Sequence, residues 1–350
     1  MATDPTNPLS VARVVVRPPN WLGDAVLALP AIAAVRRHFA SAHFTITAVP
    51  TVAAIFREDN DARPDRVIEL PSGTRAATAA LEGEGFDLGI LFPNSFRSAW
   101  QFWRARIPNR WGYGRAGRAP FLTRRSQPGR RNGVTHQIDY YRDLVRGLGI
   151  ACPDDEAPRL APKPATAERA GALLVQHGVA SEARIVGIAP GAAYGEAKQW
   201  PPERMAQVAA RMIREHGATA VIVGASHDRE AARAIESWLR THASDAATRA
   251  VDLTGRTSLG ALVGVVARTA VFLSNDSGAM HLAAALGRPV VAIFGPTDER
   301  ATRPIGPHDV ITEPVFCRPC LLRDCPIDHR CMRRIEVATV ASAVAARLGA

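Results

Sequence analysis

The feature that most constrains the fold of this chain is a strand, a polar turn and a helix start in direct succession at residues 270–285. The apolar run Ala-Val-Phe-Leu at 270–273 precedes Ser-Asn-Asp-Ser-Gly-Ala-Met-His at 274–281, and an Ala-rich segment follows. The first turn of a helix has unpaired backbone N–H groups and a partial positive charge, so it favours a bound anion. This pattern therefore predicts a parallel sheet whose carboxyl edge binds a phosphate or diphosphate.

The same alternation recurs in both halves of the chain. In the first half, apolar runs rich in β-branched residues at 12–16, 44–49, 66–70 and 86–92 alternate with segments of helical periodicity. Pro30 falls inside the first helical segment, so it must kink that helix or lie in a first turn. The alternation in this half predicts a βα unit with a parallel sheet.

A Pro-rich segment separates the two halves. Residues 152–166 contain four Pro residues and predict a linker. Beyond it, strands are predicted at 184–189 and 218–224, each followed by a polar loop and a helix. A chain of 350 residues accommodates two domains. We therefore predict two doubly wound α/β domains with a ligand cleft between them.

Positive charge is concentrated in one part of the chain. The net charge is +10 and the pI is about 10.2, which favours a polyanionic partner. Residues 88–138 contain no Asp or Glu and include Trp100, Trp103 and Trp111. We interpret this stretch as an anion-binding face rather than an ordinary solvated surface, and the three Trp residues as core. Its Arg residues are Arg97, Arg104, Arg106, Arg110, Arg115, Arg118, Arg124, Arg125, Arg130 and Arg131.

The sequence predicts neither an export signal nor a membrane span. Residues 1–8 lack the basic and apolar regions of a signal peptide. No apolar run approaches the roughly 20 residues that a bilayer requires. We therefore expect a cytoplasmic protein.

Four motifs together resemble one known family. They are Pro-Asn-Trp-Leu-Gly-Asp at 19–24, Pro-Gly-Ala to Ala-Lys-Gln-Trp-Pro at 190–201, Asn-Asp-Ser-Gly-Ala-Met-His at 275–281 and Phe-Gly-Pro-Thr at 294–297. In this order they resemble the ADP-heptose:lipopolysaccharide heptosyltransferases of glycosyltransferase family 9. The first motif and the Cys-rich C-terminal segment look most like the heptosyltransferase II branch. The resemblance spans residues 14–334.

The resemblance implies a fold and an activity. The fold would be GT-B, with two facing Rossmann-like domains of α/β type and parallel sheets. Residues 1–165 would bind the acceptor and 166–350 the ADP-sugar, with the last helix able to pack back on the N-terminal domain. Such enzymes move L-glycero-D-manno-heptose from ADP-heptose to the first heptose of the lipopolysaccharide inner core, with inversion and without a metal. The partners would be the nucleotide sugar, an anionic glycolipid and, peripherally, the inner face of the cytoplasmic membrane.

The resemblance also implies roles for individual residues. An inverting transfer needs a carboxylate base and a positive group for the departing diphosphate. Asp24 matches the family's proposed base and Lys198 its diphosphate contact, while a helix N-cap is the alternative role for Asp24. For Asp228 and His281, helix capping and core packing are equally compatible with the sequence. The further donor-site residues would be Asp228, Thr257, Asp276, Ser277, Gly278, Ala279 and His281. The acceptor-site residues would be Asn20, Asn94, Ser95 and Arg97, with the Arg-rich stretch facing the acceptor's anionic groups.

Four of the five Cys residues lie close together, at Cys317, Cys320, Cys325 and Cys331, with His329 between the last two. A disulfide framework is not expected in a cytoplasmic chain. The Cys-x-x-Cys start is compatible with a structural zinc, but the second pair has poor spacing for a standard zinc finger. We expect reduced, packed thiols and keep a structural zinc as the alternative.

Two other functions are alternatives. The positive charge and the Cys cluster are compatible with a nucleic-acid-binding protein, although the sequence has no helix-turn-helix, zinc-finger or RNA-recognition pattern. A sugar-nucleotide epimerase of the same fold would need catalytic acids around the donor sugar and would convert the donor without an acceptor. We predict no nucleic-acid partner.

Overall fold

The computed structural model describes residues 7–127, 133–193 and 195–349. The chain forms two compact units, Met1–Leu160 and Ala161–Ala350. This division falls inside the predicted Pro-rich linker, five residues before the domain boundary that the resemblance implies. We call them the first unit and the second unit.

The first unit alternates strands with helices. Its strands are β1 (Arg13–Arg17), β2 (His43–Ala48), β3 (Asp59–Asn60), β4 (Arg66–Glu69), β5 (Leu88–Leu91), β6 (Asn109–Tyr113) and β7 (Arg124–Ser126), with β8 (Leu160–Ala161) at the boundary. Its helices are α1 (Leu22–Leu27), α2 (Leu29–His38), α3 (Pro50–Ala53), α4 (Thr74–Ala79), α5 (Phe96–Arg104) and α6 (Gln137–Gly147).

Local sequence explains the start of the first unit. Val14, Val15 and Val16 are fully buried, because helices cover both faces of a parallel sheet and its central strands need a continuous apolar run. The helical segment after β1 is two helices. Pro30 lies in the first turn of α2, where its missing N–H would have no helical acceptor.

The second unit repeats the alternation. Its strands are β9 (Ile185–Ala189), β10 (Thr219–Ile222), β11 (Ala250–Asp252), β12 (Thr269–Asn275), β13 (Val290–Phe294) and β14 (His308–Thr312). Its helices are α7 (Pro164–Gln176), α8 (Pro202–His216), α9 (Arg229–His242), α10 (Ser244–Ala247), α11 (Leu259–Ala267), α12 (Gly278–Ala285), α13 (Glu299–Thr302), α14 (Arg330–Arg333) and α15 (Val337–Gly349).

The two six-stranded sheets have the same topology. Their strand orders are β4-β2-β1-β5-β6-β7 and β11-β10-β9-β12-β13-β14, and the pairings described in them are parallel. Counted within each sheet, both orders read 3-2-1-4-5-6, the arrangement of dinucleotide-binding α/β folds. The prediction of parallel α/β sheets in both halves is thus confirmed. The order reverses between β1 and β5 and between β9 and β12, and ligands bind outside the carboxyl ends of strands at such points.

The last helix belongs to the core of the second unit. Val340, Ala341, Val344 and Leu348 of α15 are buried in one cluster with side chains of α8, β12 and β13. Within the described ranges, no helix has the length and apolar character needed to cross a bilayer.

Candidate active site

The loop between β12 and α12 lies at the point where the strand order of the second sheet reverses. Ser277 is the N-cap of α12 and makes no side-chain hydrogen bond to the helix; its hydroxyl lies 3.0 Å from Ser274 Oγ instead. Ser277, Gly278 and Ala279 are half-buried. The first-turn N–H groups of α12 are therefore not capped by Ser277 and can receive an anion.

A buried ion pair joins this loop to the loop that follows β9. Lys198 ends a short 3-10 helix, Glu196–Lys198. Its Nζ donates to Asp276 Oδ2 at 2.6 Å, and Thr297 Oγ1 donates to the same oxygen at 2.7 Å. Lys198 is 9% exposed and Asp276 6%. The pair places an ammonium group against Asp276, the residue directly before the N-cap of α12.

Asn275 fixes the relative positions of the same two loops, a role that sequence reasoning missed. This fully buried residue donates from Nδ2 to the Pro190 carbonyl at 2.7 Å and accepts from the Trp200 backbone N–H at 3.1 Å. One amide thus spans both ends of the Lys198 loop. The signal available in the sequence was its place in the 275–281 motif, directly after the strand.

Asp228 lies at the carboxyl end of the neighbouring strand, β10. It occupies the N-cap of α9, but its side chain accepts from the Ala225 backbone N–H at 2.8 Å and does not cap that helix. A Cβ at Gly191 would lie 2.0 Å from Asp228 Oδ1, and one at Gly224 would lie 2.8 Å from Oδ2. Two glycines therefore make room for the half-buried Asp228 carboxylate at the sheet edge.

The remaining predicted donor residues lie in the same unit. Thr257 is half-buried, two residues before α11 and in the loop after β11. The Gly255 N–H donates to the Gly224 carbonyl at 2.9 Å, so this loop adjoins the Asp228 loop. His281 is buried within the first turns of α12. The structure thus brings the predicted donor residues to the carboxyl edge of one sheet.

The segment 317–331 supports the donor loops, which the sequence analysis did not predict. The Arg318 guanidinium donates to the carbonyls of Gly295 at 2.8 Å and Thr297 at 3.1 Å. The Arg323 carbonyl accepts from the Ala197 N–H at 3.0 Å, next to Lys198. The Cys-rich segment therefore holds the loops on both sides of the Lys198–Asp276 pair.

The five Cys residues are free thiols. Burial, followed by the nearby Cys317, Cys320 and Cys325, raises the pKa of the Cys331 thiol. For Cys325, burial raises the pKa, but backbone N–H groups of residues 327–329 outweigh it and the net pKa is lowered. Within the described parts of the chain, no three or more His, Cys, Asp or Glu side chains are placed to hold a metal ion. The alternative of a zinc at the four C-terminal Cys residues gains no support from this geometry.

In the first unit, Asp24 lies at the carboxyl edge of the sheet, in the first turn of α1. The N-cap of α1 is Trp21, so the alternative role of Asp24 as an N-cap is wrong. Tyr141 Oη donates to Asp24 Oδ1 at 2.9 Å. Burial, then the charge of Asp24, raises the pKa of Tyr141 well above its usual value, which keeps this phenol a proton donor at neutral pH. Tyr141, from α6, is a second residue that sequence reasoning missed.

The predicted acceptor residues lie in the loops after β1 and β5. Asn20 is exposed, and Ser95 is the N-cap of α5, accepting from the Ser98 N–H at 3.3 Å. Asn94 Nδ2 donates to Tyr140 Oη at 2.5 Å, while its buried Oδ1 has no hydrogen-bond partner among the described residues. Arg97 is exposed on α5. Since β1 and β5 are paired neighbours, these side chains share one edge of the sheet.

Two further residues of this edge were missed. Trp21 is 66% exposed directly after Asn20. Arg17, the last residue of β1, is buried, donates to Gln101 Oε1 at 2.7 Å and forms no ion pair with a described residue. Burial, then repulsion from Arg97, lowers the pKa of Arg17 to about 10. A basic residue at the end of a strand was the signal that could have identified Arg17.

The Arg-rich stretch is not one continuous surface. Arg118 is fully buried and donates to the carbonyls of Tyr113 and Pro93, and burial lowers its pKa to about 10. Arg110 and Arg124 are half-buried. The exposed members are Arg97, Arg104, Arg106, Arg115 and Arg125, whereas Arg130 and Arg131 lie outside the described residues.

The three Trp residues differ as well. Trp111 is buried, as expected for core. Trp100 is half-buried and Trp103 is 46% exposed, so the prediction that all three belong to the core is wrong.

Comparison with known proteins identifies the family. The model of glycosyltransferase family 9 (heptosyltransferase) matches residues 74–330. Lipopolysaccharide heptosyltransferase 2 of Salmonella typhimurium is 29% identical over 309 residues, covering 84% of this chain and 85% of that protein. The structure of E. coli ADP-heptose lps heptosyltransferase II has a TM-score of 0.81 at 24% identity and covers 96% of this chain and 98% of that chain. The structure of E. coli heptosyltransferase WaaC with ADP-2-deoxy-2-fluoro heptose has a TM-score of 0.64 at 22% identity and covers 86% of this chain and 93% of that chain.

These similarities confirm the GT-B fold and the resemblance drawn from the four motifs. The matched region includes the Lys198 loop, the β12–α12 loop and most of the second unit. The chain belongs to glycosyltransferase family 9, the heptosyltransferases.

Proposed function

We propose that this protein transfers L-glycero-D-manno-heptose from ADP-heptose to the first heptose of the lipopolysaccharide inner core, with inversion at the anomeric carbon. The observation that carries the proposal is the Lys198–Asp276 pair beside the uncapped start of α12, in a chain of family 9. A nucleoside diphosphate is the leaving group that such a site stabilises.

The second unit would bind the donor. The Lys198 ammonium and the backbone N–H groups of Gly278 and Ala279 would contact the diphosphate, whose negative charge grows as the glycosidic bond breaks. Asp228 would accept hydrogen bonds from the ribose hydroxyls, with Thr257 nearby. E. coli heptosyltransferase WaaC, which has the same fold, holds an ADP-heptose analogue in its structure. We expect transfer without a divalent cation, since protein groups supply the positive charge.

The first unit would supply the base and the acceptor site. Asp24 would take the proton of the attacking hydroxyl as that oxygen bonds to the anomeric carbon and ADP departs. The hydrogen bond that Tyr141 Oη donates to Asp24 Oδ1 would orient the carboxylate toward the acceptor hydroxyl. Asn94 and Arg97 would bind the polar and anionic groups of the glycolipid.

The acceptor also suggests where the protein acts. Lipopolysaccharide core is attached to lipid, so we propose peripheral contact with the inner face of the cytoplasmic membrane. The exposed Arg residues of the first unit support contact with anionic groups there.

The direct test is a transfer assay with purified protein. ADP-heptose is incubated with lipopolysaccharide truncated after one heptose, and separately with lipopolysaccharide that has none. We expect a product one heptose heavier by mass spectrometry from the first acceptor only, also in the presence of EDTA. Asp24→Asn is the matched control, because its amide still accepts from Tyr141 but is not a base.

Three outcomes would contradict the proposal. They are no mass change with either acceptor, transfer only to the heptose-free acceptor, or conversion of the nucleotide sugar without an acceptor. The last outcome would indicate the epimerase alternative.

A further inference from the structure

The outward face of α5 carries a cluster of exposed aromatic side chains. Phe96 is 49% exposed and Trp103 46%. Phe121 packs edge-on against both, with ring centroids 5.1 Å from Phe96 and 5.5 Å from Trp103. The Arg104 guanidinium lies 5.8 Å from the Trp100 ring on the same helix. The rings thus contact one another while one side of the group faces solvent.

Phe96 and Trp103 lie outside the core of the first unit, whereas the half-buried Phe121 packs against that core and supports both rings. The opposite face of α5 is the buried one, and it packs Ala99 and Phe102 against the sheet. An amphipathic helix of a globular domain is expected to present polar residues outward. Large aromatic side chains grouped on the outer face therefore indicate a contact surface.

Positive charge surrounds the rings. A surface groove of about 350 Å³ is lined by Trp103, Arg104, Arg106, Ile107, Pro108 and Arg110. Arg104 and Arg106 are exposed and form no ion pair with any described residue, whereas Arg110 donates to the carbonyls of Pro108 and Phe121. Because residues 88–138 contain no Asp or Glu, no acidic neighbour in this stretch neutralises the two exposed guanidinium groups.

The exposed aromatic and basic face of α5 begins next to the loop after β5, to which we assign acceptor binding. Ser95, the N-cap of α5, precedes Phe96 directly, and Asn94 precedes Ser95. A partner that covers the outer face of α5 would therefore lie beside the loop to which we assign the acceptor.

We propose that Phe96, Trp103, Arg104, Arg106 and Phe121 form a docking surface for a bilayer that contains anionic phospholipid; we call it the α5 surface. Aromatic rings favour the membrane interface, and Arg residues beside them bind lipid phosphate. The proposal rests on the proposed function, because docking there would hold the acceptor loop at the membrane that carries the glycolipid. The occupant is the lipid surface itself and not the glycolipid acceptor.

Vesicle co-sedimentation without any lipopolysaccharide tests the surface. Full-length protein is mixed with vesicles of phosphatidylethanolamine and phosphatidylglycerol, or of phosphatidylcholine alone. The variant is Trp103→Ser/Arg104→Gln/Arg106→Asn, where Asn is chosen because residue 106 has a positive φ of 58°. Each Arg near an anionic surface is worth about a fivefold factor in partitioning, so we expect the variant to lose at least about tenfold in binding to the anionic vesicles.

A matched control variant removes the same kinds of exposed side chain from the second unit. Val175→Ser/Arg233→Gln/Arg240→Gln replaces one exposed apolar and two exposed basic side chains of α7 and α9, and we expect it to bind anionic vesicles like the parent. Unchanged thermal unfolding midpoints would show that both triple variants fold. Emission of Trp103 in the parent should shift to the blue on vesicle binding, and the shift should be lost in a Trp103→Phe variant that still binds.

The proposal is overturned if the parent binds both vesicle types equally, or if the α5 variant binds like the parent. It is also overturned if the α5 variant loses binding to a DNA duplex but not to anionic vesicles. Transfer to a lipid-free acceptor fragment reports on the proposed function separately. If that transfer is absent while vesicle binding depends on the α5 surface, the docking surface stands and the proposed function fails.

Discussion

Lys198 Nζ lies 2.6 Å from Asp276 Oδ2, although the two residues are 78 positions apart in the chain. Both side chains are almost fully buried, and Thr297 completes the hydrogen bonding of the same carboxylate oxygen. A buried charge pair is weak support for stability, but removal of one partner leaves an uncompensated charge in a poorly solvated site. Any test of Lys198 must therefore separate ligand binding from folding.

Lys198→Ala is expected to lower the free energy of unfolding by about 3–5 kcal/mol, because the Asp276 carboxylate loses its cation. Urea unfolding without ligand measures this loss. Weaker ADP binding in the same variant would be ambiguous by itself.

The double variant Lys198→Met/Asp276→Asn resolves the ambiguity. Both charges are gone, and the new amide oxygen can still accept from Thr297, so most of the lost stability should return. ADP affinity, measured by calorimetry, should stay at least about tenfold weaker than in the parent, since the diphosphate loses its ammonium contact. Parent-like ADP binding by this double variant would assign Lys198 a purely structural role.

Asp24→Asn is expected to lower kcat by about 10²–10⁴-fold, the usual contribution of a positioned general base. The ADP affinity and the thermal midpoint should stay at the parent values, because the substitution preserves size and the hydrogen bond from Tyr141. Steady-state kinetics with the one-heptose acceptor is the measurement. A variant that keeps most of its kcat would exclude Asp24 as the base.

Tyr141→Phe tests the orientation of the same carboxylate. The phenol is buried and donates to Asp24, and a hydrogen bond to a charged group is worth about 1.5–3 kcal/mol. We expect kcat to fall by about tenfold or more while the KM for ADP-heptose is unchanged. A change confined to that KM would instead connect Tyr141 with donor binding.

Gly191→Ala should weaken ADP binding without any change in charge. The new Cβ would lie 2.0 Å from Asp228 Oδ1, so the carboxylate must leave the position in which it would meet the ribose. Gly171→Ala is the control: its Cβ meets nothing within 4 Å in α7, and Ala is preferred to Gly in a helix by about 0.5–1 kcal/mol. Calorimetric titration with ADP should show a loss for the first variant only; equal affinities would contradict the placement of Asp228.

Arg17 should destabilise the fold at neutral pH. Its pKa is lowered to about 10, so the folded state disfavours the charged form. We expect Arg17→Leu/Gln101→Leu to raise the free energy of unfolding by about 1–4 kcal/mol at pH 7, because a buried charge and its polar partner are both replaced by apolar groups.

The single variant Arg17→Leu should gain less, because Gln101 Oε1 then loses its donor in a buried site. The advantage of the double variant over the parent should shrink as pH rises through about 10, where Arg17 becomes neutral in the folded state. Urea unfolding at several pH values measures both effects, and a double variant less stable than the parent would refute them.

Much of the architecture could be predicted from the sequence because its causes are local. The fully buried run Val14 to Val16 is typical of a strand inside a covered sheet, and a polar turn before an Ala-rich segment favours a helix start. The loop at 274–281 and the four motifs follow from short stretches of chain. These stretches were enough to predict the two α/β units, the loops that can bind ligands, and the family.

Tertiary structure alone decided which side chains meet and which face water. The strand order 3-2-1-4-5-6 sets the β9 and β12 loops side by side and so pairs Lys198 with Asp276. Tyr141 reaches Asp24 across 117 positions of chain. Arg118 and Arg104 belong to the same basic stretch, yet one is buried against backbone carbonyls and the other is exposed on α5. The physical reason is that burial and partner choice depend on packing between elements far apart in sequence, whereas helix and strand formation depend mainly on near neighbours.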